Sequence, residues 1–228
     1  MIRVESADRI RTITFDRPEK KNALTAAMRR DLARHLDEAD ADLGVDVVII
    51  TGADPAFCGG VDLKDLTATP TAKRPPNPGV VLRAMAKPVL CAVNGVCVTG
   101  GLEIALNCTL IVASERAAFG DRHARFGLIP GWGLSALLPE AIGVRRAREM
   151  SLTGRLVDAA EALRWGLVNH VVPHAELLSF TRNLAADVIA TDARAGRALL
   201  ALYARADGKS LDVRLALERE TVDATRKA

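Results

Sequence analysis

Residues 88–114 carry a single charged side chain, that of Glu103. Asn94-Gly95 and Gly100-Gly101 interrupt the stretch, so it cannot continue as one long membrane-spanning helix. Short apolar runs between such breaks are typical of buried strands and of a short helix. The stretch therefore predicts the interior of a folded domain, with one carboxyl group placed inside it.

Apolar patterning elsewhere predicts strands and helices in alternation. Residues 10–15 alternate as in a half-buried strand, and residues 47–51 are apolar enough for a fully buried one that Gly52 would end. Thr25 is a suitable N-cap for a helix. The apolar stripe of that helix is Met28, Leu32, Leu36, Ala39 and Leu43. The other elements predicted here are strands at 89–93 and 110–113 and helices at 80–86 and 102–107. The alternation favours an α/β fold.

The composition changes near Pro173. Predicted helices at residues 175–190, 194–205 and 211–226 follow it with no strand pattern between them. We therefore expect an α/β core over residues 1–172 and a helical region over residues 173–228. Residues 67–79 are rich in proline and threonine and are predicted to be irregular.

Composition excludes several classes of protein. Hydrophobic residues make up 49% of the 228 residues, which supports a sizeable core and excludes a disordered chain. The net charge of +3 is too small for a nucleic-acid-binding protein, although it suits an anionic small substrate. The first residues form no apolar leader, so we expect a cytoplasmic protein with no membrane insertion. The four cysteines form no CxxC pair and are expected to be buried thiols.

Gly100-Gly101-Leu102-Glu103 is the first candidate for chemistry. Glycines allow a ligand to approach the backbone, and the first N–H groups of a helix have no intrahelical partner, so they can hold a developing oxyanion. A lone carboxyl group among apolar residues should have a raised pKa, as a general acid or base requires. The alternative is that Glu103 is a structural cap or ion-pair partner.

Two further segments could contribute to a site. The glycines in residues 57–62 could expose backbone N–H groups, or they could simply form a tight turn. His123 could exchange protons near neutral pH, or it could be a structural histidine. No metal site is predicted, because Pro173 prevents His170 and His174 from sharing a helix face.

Taken in order, these segments resemble the enoyl-CoA hydratase/isomerase (crotonase) superfamily over nearly the whole chain. The matching motifs are Arg17-Pro18, Asn22-Ala23-Leu24, Phe57-Cys58-Gly59-Gly60-Val61-Asp62-Leu63, Lys87-Pro88-Val89, Asn94-Gly95, Gly100-Gly101-Leu102-Glu103-Ile104-Ala105, Phe119-Gly120, Gly127-Leu128-Ile129-Pro130-Gly131, Leu152-Thr153-Gly154 and residues 162–168. Each motif alone is weak, whereas the ordered set is specific.

The resemblance implies a spiral of ββα repeats with a C-terminal helical trimerisation region, in a homotrimer or hexamer. It implies an acyl-CoA thioester substrate whose carbonyl oxygen lies between the N–H groups of Val61 and Gly100. No separate cofactor is expected, because coenzyme A is part of the substrate. By the same resemblance, the CoA pocket is built from residues 20–24 and residues 61–64, with contacts at Lys21, Ala23, Leu24, Asp62 and Leu63.

One departure from the family pattern concerns the acid–base pair. Glu103 matches the first of two glutamates that hydratases use to activate water, but the second falls on His123. Trp132 stands where small residues are common, and its ring is expected to shorten or reshape the acyl pocket.

Three functions stay open at this point. The leading one is a lyase that hydrates a 2-enoyl-CoA, with Glu103 as the base and His123 as its proton partner. The second is another enolate reaction, such as double-bond isomerisation or carbon–carbon cleavage. The third is an acyl-CoA binder without turnover. A dehalogenase is disfavoured, because that reaction's aspartate matches Gly131.

Overall fold

The computed structural model describes residues 1–68 and 75–226. The strands in these ranges are β1 (Ile2–Ala7), β2 (Ile10–Phe15), β3 (Val47–Gly52), β4 (Ala56–Cys58), β5 (Val89–Val93), β6 (Val96–Val98), β7 (Leu110–Ser114), β8 (Ala118–Gly120), β9 (Val157–Asp158) and β10 (His170–Val172). The helices are α1 (Ala26–Ala41), α2 (Leu63–Ala68), α3 (Pro78–Ala84), α4 (Gly100–Leu106), α5 (Leu134–Ile142), α6 (Val144–Thr153), α7 (Ala159–Trp165), α8 (Leu177–Ile189), α9 (Ala193–Ala206) and α10 (Leu211–Arg226).

The described strands form two sheets. The larger sheet has the order β1-β2-β3-β5-β7-β10, in which β1 is antiparallel to β2 and the other neighbours are parallel. The smaller sheet has the order β4-β6-β8-β9, with only β9 antiparallel to its neighbour. Parallel neighbours need crossover connections, which the intervening strands and helices supply.

From β3 to β8, consecutive strands alternate between the two sheets. β3, β5 and β7 enter the larger sheet, and β4, β6 and β8 follow them into the smaller one, before a helix leads to the next turn. Ile50 pairs with Cys91, which in turn pairs with Ile111, so successive turns stack in register. The predicted α/β spiral of ββα units, with helices at its C-terminal end, is confirmed.

The central strands β3 and β5 of the larger sheet are buried on both faces. Val48 and Ile50 of β3 point into the core shared with α1, α4 and the smaller sheet. Val47 and Ile49 point to the opposite face, where side chains of α8 cover them. A strand buried on both sides needs an uninterrupted apolar run, and this explains the sequence of β3.

Several element predictions are confirmed and one is wrong. β2 and β5 have the predicted bounds, and the Thr25 hydroxyl accepts the Met28 N–H as an N-cap of α1. Leu43 does not belong to the helical stripe, because α1 ends at Ala41 and Leu43 is 90% exposed. β3 includes Gly52 as its last residue, one residue beyond the predicted end. β1 was not predicted, because its residues are mostly exposed and carry no strong apolar alternation.

The segment predicted to be irregular is described only in part. α2 extends to Ala68 and α3 begins at Pro78, so both ends of residues 67–79 are helical. Residues 69–74 of that prediction lie outside the described ranges.

Beyond Pro173 the described elements are helical. α8 packs on β3, β5 and β7, whereas α9 and α10 contact each other and leave Leu199, Tyr203 and Leu211 exposed. The division at residues 172 and 173 stays a prediction. Within the described ranges, no helix has both the length and the apolar character that crossing a membrane requires.

Asn22 connects the N-terminal loop to the turn between β3 and β4. Its Oδ1 accepts the Arg17 N–H at 2.8 Å, and its Nδ2 donates to the carbonyls of Ala53 at 2.7 Å and Ala56 at 2.6 Å. Asn22 is fully buried and has a φ of 55°, which asparagine tolerates better than most residues. The side chain thereby fixes the path of residues 17–24.

We predict that Asn22→Ala lowers the free energy of unfolding by about 1–3 kcal/mol, because it leaves buried backbone groups without a partner. Asn22→Gly is the matched control, since glycine removes the same hydrogen bonds but accepts the positive φ. Urea unfolding measures both variants. If Asn22→Ala unfolded at the same urea concentration as wild type, Asn22 would not hold residues 17–24 in place.

Candidate active site

A cavity of about 860 Å³ opens between the smaller sheet, α1 and the segment after β8. Glu103, His123, Val61, Gly100 and Trp132 all line it. Four loop or helix-start segments therefore meet at one cavity, although they lie far apart in the chain. These are five of the residues that the sequence singled out.

Close backbone approach holds the two glycine-containing segments together. Gly60 has a φ of 96°, and a Cβ on it would overlap the Thr99 hydroxyl. A Cβ on Gly101 would overlap the Cys58 carbonyl oxygen. Thr99 itself has a φ of 48°, a strained value for a β-branched residue. Only glycine at positions 60 and 101 lets the loop after β4 lie against the start of α4.

The local hydrogen bonds determine where the Val61 N–H points. Leu24 N–H donates to the Gly60 carbonyl at 2.8 Å, and Asp62 N–H donates to the Leu24 carbonyl at 2.9 Å. Peptide groups alternate in direction along extended chain, so the Val61 N–H points away from Leu24. Gly100 is the first residue of α4, so its N–H has no partner within that helix. Both residues line the same cavity.

Glu103 lies in the first turn of α4 and is only 2% exposed. Its Oε1 accepts the Trp132 N–H at 2.6 Å. Burial raises the pKa of Glu103 above the usual glutamate value, although this hydrogen bond and the nearby His123 act in the opposite direction. The Trp132 N–H therefore orients the carboxyl group, and the raised pKa means that this group holds a proton more readily than a solvated glutamate does.

The His123 ring lies next to the Glu103 carboxyl group in the wall of the cavity. Its Nε2 lies 3.6 Å from Glu103 Oε2, and its Nδ1 lies 2.7 Å from Asp121 Oδ1. Asp121 is 2% exposed and also accepts the His123 backbone N–H at 3.0 Å. Burial alone would raise the pKa of Asp121, but the hydrogen bonds from His123 and Ser151 outweigh it and lower that pKa. The imidazole therefore stands between two buried carboxyl groups.

Trp132 closes one side of the cavity. A Cβ on Gly100 would lie 2.7 Å from its ring, so the indole packs directly on the start of α4. The guanidinium of Arg29 lies over the same ring, 5.7 Å from its centre. Sequence reasoning missed Arg29, because nothing local distinguishes it from the exposed Arg30 beside it.

The residues predicted to contact substrate or CoA divide into two groups. Ala23, Asp62 and Leu63 line the cavity, as do Trp132 and the glycine segments. Lys21 and Leu24 do not line it: the Leu24 side chain is fully buried in the core.

Asp62 is already committed to an ion pair. Its Oδ2 lies 2.6 Å from Arg17 Nη1, and this hydrogen bond lowers the pKa of Asp62. Arg17 and Lys20 also line the cavity; Lys20 belongs to the region of residues 20–24 expected to contact CoA, whereas Arg17 was not predicted. A search of the described residues finds no group of three or more His, Cys, Asp or Glu side chains able to hold a metal ion.

The chain belongs to the enoyl-CoA hydratase/isomerase family, whose family model matches residues 5–227. It is 41% identical over 220 residues to the probable peroxisomal enoyl-CoA hydratase 1 of Arabidopsis thaliana, an alignment that covers 94% of this chain and 82% of the relative. The family relation supports enoyl-CoA hydratase-type activity on an acyl-CoA.

Solved structures agree with this assignment. An enoyl-CoA hydratase from Mycobacterium avium superposes with a TM-score of 0.83 at 47% identity, over 99% of this chain and 96% of that one. An enoyl-CoA hydratase from Bacillus anthracis gives a TM-score of 0.92 at 28% identity, over 100% and 91% of the two chains. The predicted crotonase superfamily is confirmed, and the protein is an enzyme of that family.

We predict that Glu103→Gln makes the protein more stable than wild type at pH 8. The folded state holds the Glu103 carboxyl with a raised pKa, so the stability contributed by this group is complete below the unfolded pKa and lost as pH rises through the folded pKa. Glutamine does not titrate, and it can still accept the Trp132 N–H. The difference in unfolding free energy, measured by urea titration, should therefore grow from acidic pH to pH 8.

Glu161→Gln is the control of opposite sign. A hydrogen bond from Arg155 lowers the pKa of Glu161, so its stabilisation is present above the unfolded pKa and lost as pH falls through the folded pKa. This variant should be less stable than wild type at neutral pH. A Glu103→Gln protein that behaves in the same way would contradict the raised pKa.

Proposed function

We propose that this enzyme adds water to the double bond of a 2-enoyl-CoA, with Glu103 as the general base. The observation that carries the proposal is the 3.6 Å approach of the His123 imidazole to the Glu103 carboxyl group, in a cavity that Val61 and Gly100 also line. Two proton-exchanging groups and two candidate oxyanion donors therefore share one cavity.

The thioester carbonyl oxygen would accept the N–H groups of Val61 and Gly100. As water adds to the β-carbon, the Glu103 carboxylate takes a water proton, and the π electrons move onto the carbonyl oxygen as an enolate. The α-carbon then takes a proton from the His123 imidazolium. The proton on Glu103 passes to His123 Nε2, which restores both groups.

Positive side chains in the cavity wall support binding of a phosphate-bearing CoA. Lys20 and Lys64 line the cavity on the side of the N-terminal loop. Ala23 and Leu63 line the same cavity, where they would contact the nucleotide or pantetheine. Leu24, being buried, would act through its backbone, which holds the Gly60–Asp62 segment in place. Lys21 likewise accepts the Gly59 N–H through its backbone carbonyl at 2.8 Å.

We also propose a homotrimer or hexamer, which the exposed apolar residues of α9 and α10 support. The cytoplasmic location expected from the sequence stays a prediction, since the name of the Arabidopsis relative places that protein in peroxisomes.

The test of the function is the loss of enone absorbance when the purified protein is mixed with crotonyl-CoA or a medium-chain 2-enoyl-CoA, with binding followed in parallel. Turnover supports hydration. Binding without turnover would overturn it, and conversion of a 3-enoyl-CoA would then identify an isomerase. The isomerase is the second candidate function, and the observation that favours it is that His123 stands where the family pattern has its second glutamate. Binding of both thioesters without conversion would identify a binder.

We predict that Glu103→Gln lowers kcat by about 10²–10⁴-fold, because a positioned general base contributes that much. The dissociation constant for the thioester should change little, since Glu103 acts on the proton rather than on CoA. Steady-state kinetics and calorimetry measure the two quantities. Glu140→Gln, an exposed change on α5, is the control and should leave both unchanged.

We predict that Trp132→Ala raises the kcat/KM ratio of medium-chain over crotonyl substrate by about tenfold or more, because removing the ring lengthens the acyl space. The Glu103 hydrogen bond uses the Trp132 backbone and would survive the change. Trp165→Ala is the matched control: that indole lies beside Arg146 and Arg155 and does not line the cavity. An unchanged ratio in Trp132→Ala would exclude the ring as a limit on chain length.

A further inference from the structure

Asp121 is a buried carboxyl group that the proposed reaction does not use directly. It is 2% exposed and does not belong to the cavity lining, so a substrate would meet His123 and not Asp121. Its Oδ1 accepts two hydrogen bonds from the same residue, one from the His123 backbone and one from the ring Nδ1. Asp121 thus lies directly behind the imidazole, on the side away from Glu103.

The chemistry of the pair determines which ring nitrogen carries the proton. A carboxylate can only accept hydrogen bonds, so a ring nitrogen 2.7 Å from it must be the protonated one. In the neutral ring this leaves the lone pair on Nε2, the atom that lies 3.6 Å from Glu103 Oε2. In the imidazolium, Nε2 carries the second proton and is the atom able to lose it.

We infer that Asp121 is a positioning residue that keeps the proton on His123 Nδ1, so that Nε2 alone exchanges protons with Glu103 and the substrate. The Asp121–His123 pair then replaces the single carboxyl group that the family pattern has at position 123. This inference rests on the proposed function, in which His123 is the proton partner.

The charged groups around His123 support this assignment. Asp121 faces the ring from its own loop, and Glu103 faces it from α4. The neighbouring Arg122 and Arg125 donate instead to the carbonyls of Gly154 and Thr153, at the end of α6. If Asp121 served only to shape the turn, the bond to the His123 backbone N–H would suffice, yet its contact with the ring, at 2.7 Å, is shorter than that bond, at 3.0 Å.

The first test needs no turnover. In protein labelled with ¹⁵N-histidine, the nitrogen shifts at alkaline pH should show the neutral His123 ring as the Nδ1–H tautomer. In Asp121→Asn, whose amide can present either oxygen or NH₂ to the ring, the population should move toward Nε2–H. A wild-type ring in the Nε2–H form, or a variant that keeps pure Nδ1–H, overturns the inference. The wild-type spectrum decides even if the variant fails to fold.

The second test is a double-mutant cycle. Asp121→Asn should lower kcat by on the order of 10²-fold or more with little change in KM, and it should have no further effect in a His123→Ala background. If Asp121→Asn lowered kcat by the same factor in the wild-type and His123→Ala backgrounds, the role of Asp121 would be merely structural and the inference would be overturned. Asp158→Asn, which alters the N-cap of α7, is the control and should leave the tautomer unchanged.

The two failures are distinguishable. If wild type converts no enoyl-CoA, the proposed function fails, while the tautomer measurement still decides whether Asp121 orients His123. If wild type turns over normally but the cycle is additive, the function stands and the positioning role fails.

Discussion

The contact between the Gly60 loop and the start of α4 is the constraint on which the site depends. The Gly60 backbone lies so close to Thr99 that no side chain fits between them, and a Cβ on Gly101 would likewise overlap the Cys58 carbonyl oxygen. This approach brings Val61 and Gly100 to the same cavity wall, and it places Glu103 one turn of helix behind them. The strained φ of Thr99 is tolerated because the surrounding packing holds it.

Electrostatics then differentiate the two buried carboxyl groups on either side of His123. Glu103 has a raised pKa because burial outweighs its hydrogen bonds, whereas Asp121 has a lowered pKa because its donors outweigh burial. When the pKa values of neighbouring carboxyl groups shift in opposite directions, one group can exchange protons while the other keeps a fixed charge. The site also costs stability, since a buried carboxylate at position 103 opposes folding at neutral pH.

Local patterns were sufficient for most of the fold. The apolar runs of β3, β5 and β7 and the Thr25 cap of α1 follow from periodicity and hydrogen-bonding chemistry within a few residues. β1 and the end of α1 were not found, because an exposed edge strand and a helix terminus are decided by neighbours that lie elsewhere in the chain. Leu43 shows this, being apolar and yet exposed beyond the helix.

Residue patterns alone were enough to predict the α/β class, the glycine segments and the unusual carboxyl group of Glu103, because a lone charge in an apolar stretch is visible without coordinates. The family motifs extended this to Val61, Gly100 and His123. The folded structure was needed to show that His123 faces Glu103, that Asp121 lies behind the His123 ring and that Arg29 rather than Arg30 lies beside Trp132. These contacts depend on the paths of loops between distant elements, which no local pattern of residues encodes.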